Sequence, residues 1–133
     1  MSWDRVHRRD ELVRQTIDAV ARYGPDALGA WRAAIDAEYG GVDGWLLDVQ
    51  RRWYAAIDAR LDAALDAPGD LDDQIADLWR DAARMRPELR AVLSAYADHP
   101  ALVPARERHR RMLFAATGVD EIRFDRATPM VAA

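Results

Sequence analysis

Glycine and proline stand in pairs between stretches of helical periodicity, and that punctuation leaves little room for anything but an all-helical fold. Gly24-Pro25, Gly40-Gly41, Pro68-Gly69 and Asp98-His99-Pro100 interrupt the chain, and Gly118 closes its last periodic stretch. Glycine takes the left-handed conformation that ends a helix, and proline cannot continue one. Between these breaks apolar residues recur at intervals of three and four, the spacing of one helix face.

The first helix is expected from Ser2 or Asp4 to Tyr23, with Val6, Val13, Ile17 and Val20 on its buried stripe. A second begins near Asp26 and presents Leu28, Trp31, Ile35 and Tyr39. The third is the longest, from Asp43 as N-cap to about Ala67, through Leu46, Val49, Trp53, Ile57, Leu61, Ala64 and Leu65. At 100° per residue this stripe rotates along the helix, so its two halves are expected to face different neighbours. Asp70 caps a fourth helix with Asp73 three residues on, and Leu71, Ile75, Leu78, Ala82 and Met85 make the cleanest amphipathic stripe. A fifth runs from Pro87 to about Ala97 with Leu89, Val92, Leu93 and Tyr96. A sixth runs from Pro104 to Thr117 with Ala105, His109, Met112, Leu113 and Ala116. The pattern predicts an all-α protein, a single-domain antiparallel bundle of five to six helices over residues 1–118. Residues 119–133, with weak alternation at Ile122 and Phe124, read as a partly disordered C-terminal tail.

The chain's 133 residues suffice for one real core, and half of them are apolar. Cysteine is absent, which removes disulfides, thiolate catalysis and cysteine-based metal sites together. Lysine is absent too, excluding Schiff-base chemistry and the lysine of a phosphate-binding loop. Every basic residue other than histidine is arginine, and aspartate far outnumbers glutamate, a bias that a GC-rich genome explains. Neither a secretory signal nor an apolar run long enough to span a membrane is visible, so the chain reads as cytoplasmic. Residues 23–103 carry eight arginines against fifteen acids. An acidic middle disfavours nucleic acid as a partner.

Metal-binding and catalytic patterns are weak. Asp58, Asp62 and Asp66 repeat every four residues, as do Asp73, Asp77 and Asp81, but both ladders point away from the apolar stripes and read as solvated faces. No cofactor or metal is implied. The few hydroxyls sit in no nucleophile elbow, and the glycines form no dinucleotide or phosphate-loop pattern. His-Arg-Arg occurs twice, at 7–9 and 109–111, so Arg8, Arg9, Arg110 and Arg111 are candidates for gripping an anion if their helices are neighbours. Solvated arginines paired with nearby acids account for the same pattern. His109, on the apolar stripe, is expected as a hydrogen-bonded packing residue.

Five tryptophans remain. Trp31 and Trp53 fall on apolar faces and are expected as core wedges, whereas Trp3, Trp45 and Trp79 fall on flanks. Flank aromatics serve as helix seams, pocket walls or partner surfaces. Trp45, Trp79, Tyr39 and Tyr96 are therefore the candidate ligand- or partner-binding residues.

The order VARYGPDAL, AEYGGVDGWL, ARLDAAL and RPELRAVLSAYADHPAL, within residues 11–102, resembles TetR-type regulators. That resemblance implies an all-helical dimer with a ligand pocket. The stretch between Gly24 and Trp53 lacks a helix-turn-helix and a basic recognition helix, so no DNA-contacting residue is carried over. Together these features point to a protein that binds a protein partner or a small apolar ligand, with a homodimer left open. A degenerate TetR-like ligand-responsive regulator and an acid–base enzyme are the alternatives.

Overall fold

Helices end where the glycines and prolines place the breaks. The computed structural model describes residues 2–118, and the expected tail over 119–133 lies outside them. The described residues are all-α, with no strand among them. Helix α1 spans Ser2–Tyr23, a 3-10 segment Pro25–Trp31, α2 Arg32–Tyr39, α3 Val42–Asp66, α4 Leu71–Met85 and α5 Pro87–Ala95. A second 3-10 turn, Pro100–Leu102, leads into α6, Val103–Thr117.

Two boundaries differ from the periodicity. The second helix opens as seven residues of 3-10 turn rather than as α-helix, with Pro25 at its start and no side-chain cap on Gly24. The change of helix type resets the phase between Leu28 and Ile35, both buried, and leaves Trp31 at the junction only half-buried. Asp43 is not the N-cap of α3; it lies within the first turn, after Gly41. By contrast, Asp70 caps α4 as expected, its carboxylate accepting from the Asp72 amide at 2.9 Å.

The described residues form two compact units. The first gathers residues up to Arg52 with Glu88–Leu102; the second gathers Trp53–Pro87 with the described residues from Val103 onward. Helix α3 contributes its first half to one unit and its second half to the other.

In the first unit the core holds Val13, Ile17 and Val20 of α1, Leu28, Ile35, Trp45, Leu46 and Val49, with Leu89, Val92 and Leu102. Four residues of α3 are buried there: Trp45, Leu46, Val49 and Gln50. At 100° per residue they cover an arc of about 140°. A helix enclosed over so wide an arc draws its flank positions inside, which is why Trp45 is fully buried. Polar atoms in this core are satisfied. The Trp45 indole N–H donates to Thr16 Oγ1 (2.8 Å), the Thr16 hydroxyl bonds back to Leu12 O (2.7 Å), and Gln50 Nε2 donates to Leu102 O (2.8 Å).

In the second unit Ile57 and Leu61 of α3, Ile75, Leu78, Trp79 and Ala82 of α4, and Leu113 of α6 form one cluster, with Trp53 and Met85 packed against it. Trp79 sits only 40° from Ile75 around α4, so it widens the expected stripe rather than leaving it. Trp53 is half-buried at the edge of the cluster. Of the flank tryptophans, Trp45 and Trp79 are interior, the helix-seam outcome, whereas the expected wedges are only half-buried: Trp31 at its junction, and Trp53 packed on the edge of the cluster.

Candidate functional site

The turn between α2 and α3 compresses two helix ends into very few residues, and glycine makes this possible. Gly40 adopts φ 77°, and its N–H closes α2 on Asp36 O at 2.9 Å. Gly44, one turn later, lets the backbone of α3 pass the end of α2. A Cβ there would lie 2.8 Å from the Tyr39 carbonyl oxygen. This bare turn forms one wall of an open cleft of about 650 Å³ in the first unit. Tyr39, the turn from Gly40 to Gly44, and Arg32 line one side, with Tyr96 and His99 from the segment after α5.

Each side chain is held differently. Tyr39 donates its hydroxyl to Asp48 Oδ2 at 2.6 Å, and the Arg9 guanidinium lies over its ring, 4.8 Å from the centroid. Burial first, and then the bond to Asp48, pushes the Tyr39 phenol well above its ordinary value. Burial alone would raise the Asp48 carboxyl. The bonds from Tyr39 and Arg51 and the charges of Arg52 and Arg51 outweigh it, so the carboxyl is held below its usual range. Tyr96 meets Trp45 edge-on, with ring centroids 6.2 Å apart. Burial pushes its phenol up; Arg32's charge opposes that rise and Asp26's adds to it.

His99 Nδ1 accepts from the Ala101 amide (3.2 Å), which in the neutral ring puts the proton on Nε2. That nitrogen faces Asp43 Oδ1 at 3.4 Å. The arrangement offers two tyrosine rings, a guanidinium, an imidazole and the Asp43 carboxylate around one opening, with no serine, threonine or cysteine among its lining residues.

Comparison with models of protein families, with curated proteins and with solved structures gives no match to this chain.

Of the four aromatic candidates, Tyr39 and Tyr96 come together in the cleft. Trp45 stands behind it in the core, and Trp79 belongs to the core of the second unit. The two His-Arg-Arg triplets fall in different units. Arg9 is engaged with Glu38 through Nε (3.1 Å) and with the Glu38 carbonyl (3.2 Å), and Arg110 pairs with Glu107 at 3.7 Å. Arg8 and Arg111 are exposed. Arg32, Asp43 and His99 are not among the candidate site residues that the sequence offers. Their signal was faint: a turn with three glycines in five residues directly after a tyrosine, and a histidine inside a proline break.

Members of both aspartate ladders have partners. Asp81 pairs with Arg60, Asp77 with Arg80, and Asp58 accepts from His109 Nε2 at 2.9 Å. His109 is buried and stacks on Tyr54, with ring centroids 3.8 Å apart and planes 12° apart. It is a hydrogen-bonded packing residue, as its stripe position predicts.

Proposed function

We propose that this protein acts by binding a small molecule with an aromatic or apolar body in the cleft between Arg32, the Tyr39–Gly44 turn and Tyr96–His99. The observation that carries this reading is the convergence of two tyrosines, a guanidinium and an imidazole around one opening of about 650 Å³. That volume lies within the range of small-molecule sites, and such sites pair aromatic walls with a few placed polar groups. No described helix is long and apolar enough to cross a membrane, and we place the binding activity in the cytoplasm.

The test is a titration of ¹⁵N-labelled protein with a library of aromatic fragments. Shifts gathered on the amides of Gly40, Gly41, Gly44, Tyr96 and His99, and lost in Tyr96→Ala, support the reading. Fragment shifts confined to other surfaces sink it, as does turnover of a bound compound that disappears with one Asp, Glu or His substitution. Native mass spectrometry of protein purified from its own host reports any retained ligand together with the oligomeric state.

A further inference from the structure

We infer that the ligand of this cleft is an anion, an aromatic carboxylate or phosphate anchored by Arg32. This rests on the binding reading above and adds the charge of the ligand to it. Arg9, Arg51 and Arg52 of the same unit each hold a carboxylate: Arg9 with Glu38, Arg51 with Asp48, and Arg52 with Asp10 and Asp48. Arg32, which lines the cleft, has no carboxylate partner among the described residues. The cleft's own carboxylate, Asp43, already faces the Nε2–H of His99 at 3.4 Å. The acid in the wall thus has a ring nitrogen beside it, and the guanidinium has no carboxylate within ion-pair distance among the described residues.

Tyr39 cannot offer its hydroxyl proton to a ligand, because Asp48 holds it at 2.6 Å. Arg32 is the guanidinium that the cleft presents, beside the Asp43 carboxylate and the His99 ring. Its planar fork matches the oxygens of a carboxylate or phosphate. Arg32 and Tyr96 line the same cleft, and the charges of both Arg32 and Asp26 act on the Tyr96 hydroxyl. An anionic group on Arg32 thus places an attached ring beside an aromatic wall.

Four probes of one shape separate the outcomes: 1-naphthoate, 1-naphthyl phosphate, 1-naphthalenemethanol and 1-naphthylmethylammonium, each titrated while the cleft amides are followed. The expected result is that at least one anion binds about tenfold more tightly than the alcohol. Arg32→Gln, expected to melt like the wild type because Arg32 is exposed, should bring that anion down to the affinity of the alcohol. The tighter of the two anions names the headgroup. Equal affinities for alcohol and anions overturn the charge inference while leaving the cleft as a binding site. Preference for the ammonium overturns it in favour of Asp43 as anchor. If none of the four moves a cleft amide at millimolar concentration, the binding reading fails and this inference with it.

Discussion

The indole N–H of Trp45 donates to the hydroxyl of Thr16 at 2.8 Å, and both side chains are fully buried. One bond thereby ties α1 to the first half of α3 across the core of the first unit. Thr16 uses its own hydroxyl proton on the Leu12 and Val13 carbonyls, so it is left to accept from Trp45.

Thr16→Val keeps the volume and removes the acceptor. It should cost about 1–3 kcal/mol, the penalty for a buried donor left unsatisfied. Trp45→Ala should cost about 3–5 kcal/mol, because it also opens a large cavity. Trp45→Phe removes the donor and keeps a ring, and the double variant Trp45→Phe/Thr16→Val should lose less than Trp45→Phe and Thr16→Val added together, these with the wild type making a cycle of four proteins. Urea melts of the four proteins check this, and strict additivity would show that the bond contributes nothing.

Gly44→Ala tests the close approach of α3 to the end of α2. In an open helix the change stabilises by roughly 0.5–1 kcal/mol. Here the new Cβ meets the Tyr39 carbonyl oxygen at 2.8 Å and the Tyr39 Cβ at 3.2 Å. The expected result is a loss of about 1–3 kcal/mol, with displaced amide resonances from Gly40 to Gly44 and weaker ligand binding. A rise in melting temperature would contradict it.

The Tyr39–Asp48 pair predicts how stability changes at both ends of the pH scale. Folding depresses the Asp48 carboxyl, so its contribution is present above the unfolded value near pH 4 and is lost as pH falls through the folded value. The Tyr39 phenol is raised, so its contribution is present below about pH 10 and is lost as pH rises beyond that. Asp48→Asn should flatten the acid limb of a stability–pH profile and Tyr39→Phe the alkaline limb. Denaturant midpoints measured across pH 2–11 in buffers of roughly constant ionic strength decide between these slopes and wild-type ones.

In the second unit, Asp58→Ala removes the acceptor of a buried imidazole. It should destabilise by about 1–2 kcal/mol, while His109→Ala, which also removes the ring stacked on Tyr54, should lose about 2–4 kcal/mol. The double variant should fall short of the sum by roughly 1 kcal/mol. If His109→Ala is neutral by thermal melting, the ring is not a packing element.

Much of the architecture was written locally. Asp70 caps α4 because a short carboxylate reaches an amide two residues ahead, a contact within four residues of chain. The same locality makes Gly40 a reliable stop for α2. His109 was legible because an imidazole on an apolar stripe is buried and must then find a partner, although the stripe could not name Asp58, fifty-one residues away. The tryptophans depart from their helical phase for a related reason. Helical phase measures where a side chain points but not how many neighbours surround the helix. Trp45 lies at the edge of its stripe and became interior because α3 is enclosed over a wide arc.

The sequence by itself determined that the described residues are helical, where the helices break, and which chemistries are absent for want of cysteine and lysine; it missed that residues 25–31 form a 3-10 segment before α2 starts at Arg32. Those properties follow from backbone conformation and side-chain inventory, which act within one or two helical turns. Only the tertiary structure decided which aromatics are core and which form a wall. Only it brought Arg32 of α2, the glycine turn before α3, and Tyr96 and His99 after α5 to one cleft. That convergence depends on how close helix ends approach, a distance set by packing between segments more than fifty residues apart, and no local periodicity encodes it.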